Sequence, residues 1–438
     1  MLLGVSLAAF GGRSFAVAST LAVGCLLLAR LTRPRFESRT RLLDLTLLAA
    51  LTLILLQMVP LPSVVVGALV PSRATFEETM RLDANAAWMT LSLDWRQSGH
   101  AFVVFLSSVL MYVSARAMFS QRGVRTVCRG IGWLGLLLAC EAIAQYAATP
   151  TRIYGVWQAP VGALPFGPFL NRNYCGAWLV MAIPLSFGYI GARTTGGGTR
   201  TVSISRFLLD SRTLWLAVAS TAMILALFLS LSRSAVAGFA VVGFVAPLTL
   251  RRRVESTSRL AAAGMVIVIL AVGLWFADLD SLLGRFTEAA DLHHANRIEI
   301  WRETAPIIRD FWLMGTGVGA FGTAMLVYQV TRRAYRYTHA ENHYLQVVAE
   351  GGILLAAAVA LAGVAFVRTA RDCLRDDASG VFWIRAGAAA GLAGVAIQGV
   401  WENVLTLPAN ALLAAVLAAL LTHEVRRPQP SRGGGFAP

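Results

Sequence analysis

Long uncharged apolar runs alternate along this chain with short segments rich in arginine. A helix that crosses a hydrocarbon core of ~30 Å needs about 20 residues. Eleven runs are close to that length, near 14–30, 43–69, 100–118, 128–147, 174–192, 213–231, 234–250, 260–277, 343–367, 386–401 and 404–422. They are continuous rather than alternating, so the backbone satisfies itself as helices and not as barrel strands. The pattern predicts an all-α polytopic integral membrane protein of about 11–12 transmembrane helices, forming a single membrane domain over 1–427. The final PQPSRGGGFAP, residues 428–438, reads as a disordered cytoplasmic tail. The opening stretch from Met1 to Phe10 is apolar but too short to span, and no charged region precedes it as a cleaved signal peptide requires.

Composition agrees: 57% of residues are hydrophobic and only 14% charged, with a mean hydropathy of +0.64, far from the soluble norm. The chain has no lysine, and placing 30–41, 116–129, 193–212, 251–259, 368–385 and the tail inside puts 24 of the 38 arginines in the cytoplasm. That bias orients the helices in a bacterial inner membrane. It also explains the formal charge of +15 by dispersed contacts with membrane lipids, with no stripe for nucleic acid. The five cysteines form no CxxC pair, so neither a disulfide framework nor a zinc site is indicated.

This topology leaves the 70–99 and 148–173 loops, a tight turn at 231–233 and one long periplasmic loop, 278–342, on the external face. Within the long loop, Ile298, Trp301 and Ala305 recur at helical spacing among charges, which predicts an amphipathic helix at the membrane surface. The following GTGVGAFG contains a formal GxGxxG at Gly317, Gly319 and Gly322. It follows no strand and opens no βαβ unit, so it reads as a tight hinge between surface helices, not as a dinucleotide site.

Three elements carry candidate chemistry. Arg233 stands between two apolar helices on the external side, where it is either a snorkelling interfacial arginine or an anion ligand. Arg297 would complete a guanidinium pair suited to a diphosphate, since each planar fork donates two parallel hydrogen bonds; alone it reads as a solvated or headgroup-paired surface residue. At 339–343 a polar cluster enters the next span, with Glu341, His339 and His343 as base candidates and Asn342 as a binding candidate or ordinary cap. Glu350 farther along reads as a buried hydrogen-bonding group, and the Asp278/Asp280 pair is too common a pattern to indicate a metal.

Taken in order, GPFLNRNYCGAWLVMAIPL at 167–185, LSRSAVAG at 231–238, NRIEIW with GTGVGAFG, and HAENHYLQVVAEGG at 339–352 resemble the O-antigen ligase and O-antigen polymerase superfamily, membrane glycosyltransferases of the GT-C class. The resemblance spans roughly 165–360. It implies a glycan donor on undecaprenyl diphosphate, a glycolipid or glycan acceptor hydroxyl, an active site facing the periplasm, and no nucleotide sugar, cofactor or metal. The diphosphate-binding arginines of the family correspond to Arg233 and Arg297. Its usual histidine base falls on Glu341, leaving Glu341, His339 and His343 as alternatives. Asn171 and Asn173 in the first motif join Arg233, Arg297 and Asn342 as substrate-binding candidates. Arg332, Arg333 and Arg336 suit a phosphorylated acceptor and lipid headgroups equally. Ligase, repeat-unit polymerase and protein-directed glycosyltransferase differ only in acceptor. The competing class is a transporter or flippase of lipid-linked sugars, which would show broken helices at the bilayer midplane.

Overall fold

Proline and glycine decide where the apolar runs become helices. In the computed structural model, which describes residues 1–80, 86–121, 123–160, 162–194, 210–250, 297–331, 336–377 and 379–424, the helices are α1 (Leu2–Ala8), α2 (Phe15–Thr32), α3 (Arg41–Met58), α4 (Ser63–Leu69), α5 (Ser72–Thr79), α6 (Trp95–Gln121), α7 (Val124–Ala148), α8 (Arg172–Thr194), α9 (Ser211–Leu229), α10 (Arg233–Leu250), α11 (Phe321–Tyr328), α12 (His343–Asp376), α13 (Val381–Gln398) and α14 (Pro408–Thr422). Residues 297–310 are helical as well. Among the described residues strands amount to two short pairs, Leu61–Pro62 with Trp88–Met89 and Arg152–Ile153 with Trp157–Gln158. The chain is an all-α polytopic membrane protein. Among the described residues, eight helices are long and apolar enough to cross a membrane, and α10 and α14 are shorter apolar helices. The expected 260–277 span, the Asp278/Asp280 pair, Arg332, Arg333 and the 428–438 tail lie outside the described residues.

Two expected spans are shorter than their apolar runs. The 43–69 run stops being one helix at Met58, because Val59 precedes Pro60 and takes the extended conformation that proline imposes on its predecessor. The remainder forms a short strand and α4. The 404–422 run starts its α-helix only at Pro408, whose fixed φ and missing N–H suit the first helical turn.

The bundle is organised on α8, which is buried along most of its length. Glycines let its neighbours approach backbone to backbone. A Cβ on Gly387 would meet the Pro184 carbonyl at 2.3 Å, one on Gly391 the Met181 carbonyl at 2.9 Å, and one on Gly394 the Gly238 carbonyl at 2.8 Å. Small residues at helix contacts permit this closeness, and in lipid such packing replaces the hydrophobic drive available in water. It aligns the start of α8, the start of α10 and the end of α13 at one end of the bundle. The opposite end is held by polar staples. Arg116 on α6, only 2% exposed, grips both Asp44 oxygens of α3 at 2.8 Å. Arg385 on α13 donates to the Cys373 and His423 carbonyls.

Outside the spans a second hydrophobic core joins Val66, Phe76 and Leu91 to Ile307, Phe311 and Phe321. The extramembrane cap is therefore built from two loops, the one between α3 and α6 as well as the long one. Its 297–310 helix buries Ile300, Thr304 and Ile307, with Phe311 just beyond its end, whereas Ile298 and Ala305 are exposed. The expected apolar face of Ile298, Trp301 and Ala305 is thus rotated from the real one. The helix faces the cap core rather than lying with that stripe on a membrane surface.

The glycine stretch anchors this cap to α12. That helix has 34 residues, about 51 Å at 1.5 Å per residue, so its first turns rise beyond a ~30 Å core. Gly352 breaks it with φ 60° and ψ −168°. The backbone groups freed there are taken up across the break: Thr316 N–H donates to the Ala349 carbonyl (3.0 Å), Gly317 N–H to the Glu350 carbonyl (3.0 Å), and Ile353 N–H to the Trp312 carbonyl (2.8 Å). Gln57 of α3 donates to the Met314 and Glu350 carbonyls at 2.6 and 3.0 Å. The expected hinge is a wedge, with Gly315, Gly317 and Gly319 all at positive φ against neighbouring backbone or Ser92. Glu350, expected as a buried hydrogen-bonding group, accepts from Gln346 (2.9 Å) and from the Phe321 N–H (3.3 Å).

Candidate functional site

Where α8, α10 and α13 come together, a chain of side chains crosses the end of the bundle. Ser232, in the turn before α10, donates from its hydroxyl to Asn173 Oδ1 at 2.7 Å. Asn173 Nδ2 donates to Glu402 Oε1 at 2.6 Å, and Arg297 Nη2 donates to the same oxygen at 2.8 Å. Gln398, at the end of α13, donates to the Asn173 carbonyl (3.0 Å) and to the Ser234 hydroxyl (3.4 Å). The first turn of α8, both sides of Arg233, the 297–310 helix and the turn after α13 are thereby tied into one polar patch. Asn171 supports it indirectly, since its Oδ1 accepts from the Asn173 N–H at 2.9 Å and fixes the entry to α8.

The polar cluster before α12 borders this patch. Trp301, one turn along from Arg297, donates its indole N–H to the Ala340 carbonyl at 3.0 Å, which ties the two segments together. Glu341 follows with φ 49°, a left-handed conformation costing a non-glycine residue about 1–2 kcal/mol. Asn342 caps α12, its Oδ1 accepting from the Leu345 N–H at 2.9 Å. The His343 N–H donates to the Gly399 carbonyl at 2.8 Å, pinning the start of α12 to the end of α13. His339 has Nδ1 3.4 Å from Gln346 Nε2. Gln346 Oε1 accepts from both the Ala340 N–H (3.1 Å) and the Asn403 amide.

The electrostatics separate the candidates. Burial raises the Glu341 carboxyl above the ordinary range, and the Arg297 guanidinium offsets part of that. Glu402 is raised by burial and then by the charge of Glu341, against the opposing pull of Arg297, the Asn173 hydrogen bond and Arg172. Two carboxylates thus share one low-dielectric region with Arg297, and their ionisation is coupled. His339 is lowered by burial and by Arg13, which keeps it neutral near neutral pH. Arg13 reaches this side because Gly11 and Gly12, at φ 74° and 84°, turn the chain tightly against Phe169, Leu407 and Pro408.

The structure therefore gathers Arg297, Glu341 and Asn173 around Glu402, with Ser232 and Ser234 bracketing Arg233. It places Asn342 and Asn171 in capping roles and His343 at a helix junction. Arg336 lies away from this patch, its guanidinium donating to the Gly322 carbonyl within the cap at 3.1 Å. Sequence reasoning missed Glu402 and Gln398. The signal was present: Glu402 is a lone carboxylate in a two-residue gap between apolar runs, and an ionisable group at that depth calls for a partner.

No curated protein matches the chain. Residues 217–360 match a family model described as O-antigen ligase. That stretch, about a third of the chain, holds Arg233, Arg297 and Glu341 but neither Asn173 nor Glu402, and its match supports the resemblance to the O-antigen ligase and polymerase superfamily.

Proposed function

We propose that this protein is a periplasm-facing glycosyltransferase of the bacterial inner membrane that moves a glycan from undecaprenyl diphosphate to an acceptor hydroxyl. Its nearest variant is a repeat-unit polymerase using the same donor chemistry. The observation that carries this reading is the meeting of Arg297 with the Glu341 and Glu402 carboxylates beside the Arg233 turn. In the transfer step the acceptor oxygen forms a bond to the anomeric carbon while the bond from that carbon to the diphosphate oxygen breaks. Undecaprenyl diphosphate leaves with the electron pair. Arg233 and Arg297 are assigned to the diphosphate, where fixed guanidinium donors favour the charge that develops on the leaving group. Glu341 is assigned to the acceptor proton, with His339 as the neighbouring alternative; a carboxylate raised by burial is a stronger base than one in water. Asn173 is assigned to positioning, and Arg333 and Arg336 to the acceptor side or to lipid headgroups.

Among the described residues, the broken helix α12 is a feature that favours a transporter. Its freed backbone groups, however, are consumed by the cap and by Gln57 rather than turned toward a cargo path. That supports a fixed catalytic platform.

The test uses purified protein, a synthetic undecaprenyl-diphosphate glycan and candidate acceptors, without ATP or nucleotide sugar. Product is expected from the wild type, and Arg233→Ala, Arg297→Ala and Glu341→Ala are each expected to cut transfer at least tenfold while still inserting, about 1.4 kcal/mol or more of transition-state stabilisation. Unchanged turnover in all three would remove the assignment.

A further inference from the structure

Glu402 poses a question that the assignment of Arg297 to a diphosphate does not answer. Its side chain is only 4% exposed, whereas that of Arg297 is 24% exposed, so the acid lies beneath the guanidinium on the bundle side. One carboxylate oxygen accepts from both Arg297 (2.8 Å) and Asn173 (2.6 Å). Asn173 is itself held by Ser232 and Gln398, which fixes Glu402 independently of Arg297. The charged groups around Glu402 are Arg297 from the 297–310 helix, Glu341 from the segment before α12, and Arg172 from the start of α8. A diphosphate seeking the Arg297 fork meets a carboxylate already bound there.

Building on the diphosphate reading, we propose that Glu402 is the internal counter-ion of the donor site. It holds the Arg297 guanidinium before the donor arrives, yields it to the donor's diphosphate, stays tied to Asn173, and takes up one proton as Arg297 leaves. The proton comes from the buffer acid in bulk solution, which is left as its conjugate base; one O–H bond breaks there and one forms on Glu402, and the site exchanges one anionic partner of Arg297 for another. Glu402 acts through Arg297 and is a positioning residue. The exchange prevents two unpaired negative charges, those of Glu341 and Glu402, from facing the incoming diphosphate together.

The test measures binding of a farnesyl-diphosphate-linked N-acetylglucosamine to the full-length protein in nanodiscs by calorimetry. This diester carries no group that titrates near neutral pH, so any proton exchanged belongs to the protein. Above the raised Glu402 value of about 7, wild type is expected to take up close to one proton per bound probe, read from two buffers of different ionisation heat, and to tighten by up to about tenfold for each unit that the pH falls toward that value. Glu402→Gln, which keeps the size and the Asn173 contact, is expected to bind several-fold tighter above that value and to lose most of the proton uptake. Binding by both proteins with equal affinity and no proton uptake in the wild type would overturn the counter-ion role while leaving the diphosphate site standing. No binding by either protein would overturn the diphosphate site and this inference with it. The wild-type proton count stands even where the variant inserts poorly.

Discussion

At the scale of single residues, the site is governed by two carboxylates and one guanidinium that share a poorly solvated space. Glu341 must be ionised to accept a proton, and burial raises its carboxyl above the ordinary range. Transfer is therefore expected to fall as pH drops through that raised value, earlier than for a solvent-exposed glutamate. The coupling fixes the direction of a second effect. Glu402→Gln removes a negative charge near Glu341 and releases Arg297 to stabilise it, and both changes lower the Glu341 value. The acid limb of the kcat/KM profile, which reports the free enzyme before Arg297 passes to the donor, is expected to move to lower pH in this variant; a limb unmoved or moved upward would contradict the coupling. The sequence showed Arg297 and Glu341 as separate candidates. It did not show their meeting point, because Glu402 and Asn173 reach them from the turn after α13 and from α8, well over a hundred residues away in one case and beyond the matched stretch in both.

At the scale of elements, the glycines of α13 set the geometry of the site. Gly387→Val places a branched side chain where a Cβ alone would lie 2.3 Å from the Pro184 carbonyl, and backbone cannot swing aside as a flexible side chain would. Overpacking of this kind costs about 1–3 kcal/mol or more. It would also separate α8 from α13, and with them Asn173 from Glu402. A lowered unfolding temperature in detergent and reduced transfer are expected together. Gly363 on α12 has open space around its Cβ position, so Gly363→Ala is expected to leave both measurements close to wild type or slightly improve stability, alanine being the better helix former. Equal damage from both substitutions would refute the packing argument. At the other end, Asp44→Ala leaves the buried Arg116 without its bidentate partner, a loss of about 3–5 kcal/mol by the usual behaviour of broken buried pairs, and thermal unfolding would report it. Hydropathy made the helices legible and the contacts between them far less so. The apolar stripe of the 297–310 helix was misplaced because a helix shared between a cap core and solvent carries apolar residues on more than one face. Ile298 is 46% exposed while Thr304 is fully buried.

At the scale of the whole molecule, loops expected on a common face do meet at one end of the bundle, at the entry to α8, the turn before α10, the 297 helix and the start of α12, and the turns after α1 and α13 join them there. The all-α membrane architecture was legible because lipid permits few alternatives to continuous helices. The cap was not. Its core depends on Val66, Phe76 and Leu91 pairing with residues more than two hundred positions later, and part of that material was absorbed into an overlong 43–69 span. The break at Gly352 was hidden inside a run that reads as one uninterrupted helix, and it became visible only through the backbone groups that the glycine wedge takes up. Bundle and cap both contribute to the polar patch, Asn173 and Ser232 from the one and Arg297 from the other, an arrangement that suits the proposed transfer between a lipid donor and an acceptor.

The central claim is that guanidinium groups at this end of the bundle hold a diphosphate beside Glu341. The most direct measurement is a cryo-EM structure of the protein in nanodiscs with an undecaprenyl-diphosphate glycan. The diphosphate is expected in contact with the Arg297 and Arg233 side chains, with the anomeric carbon facing Glu341 and Arg297 displaced from Glu402. A diphosphate bound elsewhere on the protein, with those two side chains turned away from it, would contradict the account.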